Sequence, residues 1–208
     1  MKFIKKSKEK NRYKRYKKVM DLLEISKKDN ILDVGCGNKD RSFVYYNVEN
    51  EITGLDLYKP SEIKTKKKNF RYVKGNAKNL PFKDKQFNVV VSVGMMEHIH
   101  PEKDFIKCLK EIERVGEKYA IIVPHRYGFI EPHFQVPFWY FYPEFLKRFL
   151  IKHFNLGSQK RRKDGNYQKL NHPPAKFYKN LLEGSKVTGF WWGPFLLYYI
   201  IYKNEKKN

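Results

Sequence analysis

Ile31-Leu32-Asp33-Val34-Gly35-Cys36-Gly37 decides the fold, together with Ile52-Thr53-Gly54-Leu55-Asp56, whose closing carboxylate stands 19 residues beyond Gly37. The first stretch reads as an apolar strand ending in a tight glycine turn, the second as an apolar strand ending in an acid. Side by side in an open parallel sheet, two such strand ends make a nucleoside pocket. The glycines let a ligand approach the backbone, and the carboxylate accepts hydrogen bonds from both ribose hydroxyls. Gly37 is followed by Asn38, Lys39 and Asp40, so the third glycine of a Gly-x-Gly-x-x-Gly dinucleotide fingerprint is missing. That glycine packs a helix tightly enough to receive a pyrophosphate. No Gly-Lys-Ser/Thr follows a glycine turn, which removes a P-loop as well.

Outward from this pair, residues 3–24 read as a helix, with Tyr13, Tyr16, Met20 and Leu23 at spacings of three and four among lysines and arginines. Strands are expected at Asn30–Val34, Glu51–Asp56, Phe70–Lys74, Phe87–Val93 and Tyr119–Val123. The fourth is a mostly apolar run of the kind buried on both faces. A short helix is expected at 39–47, and Tyr58–Asn69 reads as a polar connection. A further helix begins at Pro101, with Phe105, Cys108, Leu109 and Ile112 as its apolar stripe and Gly116 as its stop. Five strands with intervening connections predict a doubly wound α/β fold with right-handed crossovers. Gly35–Gly37, Asp56, Asn76 and Gly94–His98 then converge at the carboxyl ends of the strands. The texture changes at His125: aromatics and prolines rise, with a helix at Pro143–His153 whose Phe145, Leu146, Phe149 and Leu150 share one face, and a basic loop over 159–163. Val187–Trp192 and Phe195–Tyr202 read as a hairpin about Gly193-Pro194. The expected division is an N-terminal helix at 1–28, a core at 29–124, an inserted aromatic and basic lobe at 125–185 and a terminal hairpin at 186–203, all in one domain.

Length and composition bound the rest. A chain of 208 residues with 41% hydrophobic content has enough material for one sizeable core. Two cysteines far apart, Cys36 and Cys108, fit a reducing compartment and make neither a disulfide framework nor a metal pair. No secretory signal is visible at the start, and the apolar run from Phe190 to Tyr202 is too short for a membrane span, so a cytoplasmic protein is expected. The 44 Lys and Arg against 22 Asp and Glu leave a net charge of +22, which attracts nucleic acid or an anionic membrane and is equally explained by a lysine-rich composition.

From about Ile31 to Pro124 the chain resembles the class I S-adenosylmethionine-dependent methyltransferases, in the broad subgroup that methylates small molecules. That ligand carries no phosphate and does not need the missing glycine. The resemblance implies a mostly parallel, seven-stranded Rossmann-like sheet closed by an antiparallel C-terminal hairpin. It implies S-adenosyl-L-methionine as cofactor, with S-adenosyl-L-homocysteine as product. Asp33, Gly35, Cys36 and Gly37 match the motif lying along the methionine portion, Asp56 the residue binding the ribose hydroxyls, and Leu57 the residue packing on adenine. Gly75, Asn76 and Ala77 match a segment usually reading Gly-Asp-Ala that contacts the adenine amino group, and the asparagine carbonyl is still able to accept from an amine. Gly94 and Met95, with Met96, Glu97 and His98, match the loop closing near the methyl group.

Methyl transfer from a sulfonium is an in-line displacement in which the protein aligns the reactants and excludes water, with a base useful for a hydroxyl or acidic-carbon acceptor. His98, His125 and His133 are the candidate catalytic residues, each with an alternative structural reading. No Cys/His cluster in the sequence suggests a metal. The aromatic segment suits a small, ring-bearing or lipid-linked acceptor with peripheral contact to an anionic membrane, or merely builds its own core. The alternatives are RNA methylation, from charge and interleaved aromatics, and a degenerate fold that only binds.

Overall fold

A computed structural model of the chain describes residues 2–38, 49–65, 68–131, 133–157, 163–167 and 170–204. The helix expected at 39–47, Lys39 and most of the basic loop at 159–163 lie outside these residues. Seven strands form one sheet: β1 (Ile31–Val34), β2 (Ile52–Asp56), β3 (Phe70–Lys74), β4 (Phe87–Val93), β5 (Gly116–Pro124), β6 (Lys186–Trp192) and β7 (Phe195–Lys203), in the order β3-β2-β1-β4-β5-β7-β6. The first five are parallel, and β7 runs antiparallel to both β5 and β6. This is the mostly parallel Rossmann-like sheet with its antiparallel hairpin.

Both faces of the sheet are covered, and the two-residue pleat of the strands divides the core between them. Ile31, Val89, Val91, Ala120 and Ile122 point to one face, where helix α1 (Lys2–Leu23) lays down Tyr16, Val19 and Leu23. Leu32, Val34, Val90, Ile121 and Val123 point to the other. There helix α2 (Glu102–Val115) presents Phe105, Cys108, Leu109, Ile112 and Val115. Val89, Val90 and Val91 are completely buried, each contributing about 1.5–3 kcal/mol by leaving water, which is why β4 shows no polar alternation.

Gly116 does not act as a left-handed helix stop. Its φ is −105°, and the chain passes straight from α2 into β5. Glycine is needed there for contact: a Cβ would lie 2.6 Å from Val90 Cγ2.

Between β5 and β6 lie helix α3 (Glu144–His153), which packs on a small core of Phe134, Trp139 and Ile151, and helix α4 (Ala175–Leu181), which joins the main core. The sequence pattern did not reveal α4, a seven-residue helix behind Pro174 that buries Tyr178 against α2. The expected apolar face of α3 is divided. Ile151 is buried and Leu150 packs on the small core, whereas Phe145 and Phe149 are 74% and 53% exposed. Among the described residues, no helix is long and apolar enough to cross a membrane.

Candidate active site

The strand order reverses at β1. The chain moves outward through β2 and β3 and returns to place β4 on the other side of β1, opening a crevice at the carboxyl ends of those two strands. The glycine turn after β1 is built for that position. Gly35 and Gly37 take φ of 78° and 73°, the left-handed region that side chains resist. The backbone N–H of Gly35 donates to Leu55 O at 2.8 Å, tying the turn to β2. A Cβ on Gly35 would stand 2.5 Å from Met95 Cβ, so this glycine lets the loop after β4 close against the turn. Among the described residues, a Cβ on Gly37 would meet nothing within 4 Å.

Asp56 is locked in place at the end of β2. Its Oδ2 accepts from Gly37 N–H at 2.8 Å and its Oδ1 from Leu57 N–H at 2.7 Å. Each oxygen keeps a lone pair for a ligand hydroxyl. The Tyr72 hydroxyl supports the same corner from β3, donating toward the carbonyls of Asp56 and Tyr58 at 2.9 and 2.8 Å. Leu57 is 67% exposed, an apolar surface beside the carboxylate. Gly75 N–H donates to Asp56 O at 3.0 Å, which brings Gly75, Asn76 and Ala77 to the neighbouring strand end. Asn76 Oδ1 already accepts from Lys78 N–H at 3.0 Å in a local turn, so one of its two lone pairs is used within the chain.

Asp33 is buried in β1. The Cys36 side chain turns away from the crevice into the core facing α1, and only its backbone remains at the turn. Burial, helped by the charges of Asp33 and Asp56, pushes its thiol far above the usual cysteine range, so it is no thiolate nucleophile at neutral pH.

The three histidines are treated unequally by the fold. His98 and His133 meet: their Nε2 atoms are 3.2 Å apart and their rings are nearly perpendicular at 88°. His133 Nδ1 is 2.7 Å from Oε1 of the buried Glu131, whose Oε2 accepts from the N–H groups of His133 and Phe134 at 2.7 and 2.6 Å. Burial alone lowers the His133 pKa, but the hydrogen bond and charge of Glu131 outweigh it and the net shift is upward. Glu97, 1% exposed beside them, is pushed up to about 7 by burial, against the pull of its own backbone and of His133. His125 instead packs edge-on against Tyr199, 4.9 Å between ring centroids, and desolvation lowers its pKa.

Two polar residues of this region carried no signal in the sequence pattern. His172 Nδ1 donates to Pro124 O at 3.2 Å, and its Nε2 is hydrogen-bonded by the Tyr140 hydroxyl. Burial brings the pKa of His172 down to about 4. Asn171 N–H donates to Glu97 O at 2.8 Å, pinning the return segment to the loop after β4. These residues border a cleft of about 510 Å³ whose lining includes Arg126, Phe134, Trp139, Tyr140, His172 and Phe177.

Residues 32–123 match the family described as "Methyltransferase domain". A demethylmenaquinone methyltransferase of Staphylococcus carnosus is 34% identical over 107 residues, 48% of this chain and 43% of that protein. The match thus spans less than half the length of that curated relative. Two solved structures share the fold. One is a putative methyltransferase of Haloferax volcanii in complex with the Trm112 methyltransferase activator, at TM-score 0.60 and 13% identity, covering 98% of this chain and 93% of that one. The other is the 1,6-didemethyltoxoflavin-N1-methyltransferase of Burkholderia thailandensis, at TM-score 0.58 and 15% identity, covering 94% and 79%. With the strand order, the two left-handed glycines and the doubly anchored Asp56 already in place, residues 32–123 match a methyltransferase domain, and the chain has the fold of the class I S-adenosylmethionine-dependent methyltransferases.

Proposed function

We propose that the protein transfers the methyl group of S-adenosyl-L-methionine to a small, ring-bearing and amphiphilic acceptor. The carrying observation is the Asp56 carboxylate, held by Gly37 and Leu57 N–H beside the glycine turn. Ribose hydroxyls satisfy its remaining lone pairs, Leu57 supplies an apolar face for adenine, and Asn76 Oδ1 keeps one lone pair for the adenine amine. The methionine portion runs along Asp33 and Gly35–Gly37 toward Gly94 and Met95.

The acceptor occupies the aromatic cleft beneath the segment between β5 and β6, whose volume of about 510 Å³ suits one ring system with a few polar groups. The demethylmenaquinone methyltransferase name of the Staphylococcus carnosus relative supports an acceptor of that chemistry. His98, held against the Glu131-oriented His133, positions the acceptor's reacting group. His125, already packed on Tyr199, has a structural role.

Approach to a lipid-linked acceptor is supported by the outer face of this segment. Phe145, Phe149 and Phe154 are each more than half exposed, beside the exposed cations Arg148 and Lys152. Such a face suits shallow contact with an anionic membrane, apolar rings entering the headgroup boundary and cations meeting lipid phosphates.

Methyl-labelled S-adenosylmethionine incubated with the protein and a fractionated cell extract tests the reading. Label in the organic-solvent fraction, insensitive to ribonuclease, is expected. Label confined to RNA and abolished by ribonuclease overturns the acceptor class, and failure to bind the cofactor overturns the whole assignment.

A further inference from the structure

We infer that Glu97, His98 and His133 form a binding site for a divalent transition-metal ion of the Zn²⁺ class. One ligand atom from each residue lies within 4.8 Å of the others. The set of two imidazoles and one carboxylate is the nitrogen and oxygen donor type that such ions take, with at least one coordination position left for an exogenous oxygen.

Three features suit an ion at this meeting of side chains. The first is the gap between the rings. Two imidazole nitrogens bound to one tetrahedral Zn²⁺ at about 2.0–2.1 Å stand about 3.3 Å apart, and the Nε2 atoms of His98 and His133 are at 3.2 Å, a spacing that a shared ion and a direct hydrogen bond both satisfy. The second is the support behind His133. Glu131, itself buried, accepts from His133 Nδ1–H at 2.7 Å and is fixed by two backbone N–H groups. This carboxylate–histidine arrangement sets the tautomer that presents Nε2 to a metal. The third is Glu97 Oε2, a carboxylate oxygen in a side chain 1% exposed, with no hydrogen-bond partner among the described residues. A buried carboxylate oxygen without a partner is costly, and coordination to a cation removes that cost.

Placing an ion here replaces the hydrogen bond between the two rings, each ring then carrying its proton on Nδ1. The open position faces an oxygen-bearing ligand, such as a hydroxyl, enol or water. Metal uptake itself does not depend on methyl transfer, and its test involves neither cofactor nor turnover.

Tag-free full-length protein stripped with a chelator is titrated with Zn²⁺ by calorimetry, and with Co²⁺ by visible absorption. One saturable ion per chain is expected, with the d–d bands of a four- or five-coordinate Co²⁺ site and a thermal melt raised by the ion. His98→Gln and His133→Gln, each checked for a cooperative melt in metal-free buffer, are expected to lose the saturable uptake and the Co²⁺ bands. Glu131→Gln is expected to weaken affinity about 10–100-fold by loosening His133. Absence of stoichiometric uptake by the wild-type chain, or uptake by the two histidine variants with wild-type affinity, overturns the site and leaves a hydrogen-bonded histidine pair.

Discussion

Replacing Asp56 by alanine separates the donor-binding role proposed for this residue from its structural one. The carboxylate makes two bonds within the chain, to Gly37 N–H at 2.8 Å and Leu57 N–H at 2.7 Å, and offers two further acceptor positions to a ribose. Hydrogen bonds to a charged group are worth about 1.5–3 kcal/mol each, so losing two from a bound nucleoside costs about 3–6 kcal/mol. At 1.4 kcal/mol per tenfold, affinity falls by about 100- to 10,000-fold, and by no less than about tenfold if water replaces part of the loss. The two backbone N–H groups lie at a surface turn where water is able to serve them, so the ligand-free protein loses only about 1 kcal/mol. Asp56→Asn is nearly isosteric but no rescue. In either amide orientation its NH₂ faces one of the two backbone donors, so a bond becomes a donor–donor contact. Calorimetric titration with S-adenosylhomocysteine, beside urea unfolding of the free proteins, reads both effects. An Asp56→Ala protein that folds normally and binds within twofold of wild type refutes the role.

Other perturbations test separate parts of the structure. His172 has a folded-state pKa of about 4, below its unfolded value near 6.5, so it is neutral in the fold and the unfolded chain takes the proton first. Its contribution is intact above pH 6.5 and is lost as pH falls toward 4, about 2 kcal/mol by pH 5. Glu97, raised to about 7, acts in the opposite direction over this window but is common to both proteins, so the stability change from pH 7 to pH 5 should be about 2 kcal/mol less unfavourable in His172→Gln than in the wild type, and an equal change in both proteins would falsify that origin. Gly116→Ala places a Cβ 2.6 Å from Val90 Cγ2 and 3.0 Å from Lys118 O, so overpacking between β4 and β5 should cost about 1–3 kcal/mol in urea unfolding; unaltered stability contradicts the contact. The double change Phe145→Ser and Phe149→Ser should leave the melting temperature nearly unaltered, since both rings face solvent, and should reduce sedimentation with anionic vesicles. Equal sedimentation with the wild type removes these rings from any membrane contact.

The strands, the glycine turn and the acid beside it were legible because they depend on local signals. Ile31–Gly37 and Ile52–Asp56 carry their hydrophobic runs, turn and acid in consecutive residues, and β3 and β4 lie where their composition placed them. The anchoring of Asp56 by Gly37 joins residues 19 apart through one parallel strand pair, which the doubly wound topology already implies. Where several non-local packings compete, the pattern was less informative. Helical spacing groups Phe145 with Leu150, but only the position of the Phe134 and Trp139 rings determines which side of α3 is covered. Helix α4 has seven residues and derives its stability from burying Tyr178 against α2, so its own propensity gave little signal.

The sequence alone therefore determined the strands and the crevice at their ends, since hydrophobic runs, glycine turns and a strand-end acid act over a few residues and constrain the backbone directly. Only the tertiary structure decided what lies beside the reacting end. His98 and His133 are 35 residues apart and no spacing relates them; they meet because the chain leaving β5 folds back over the loop after β4, to which the return segment is also pinned by Asn171 N–H on Glu97 O. Such a meeting is set by the packing free energy of a whole segment, which no short stretch of sequence contains.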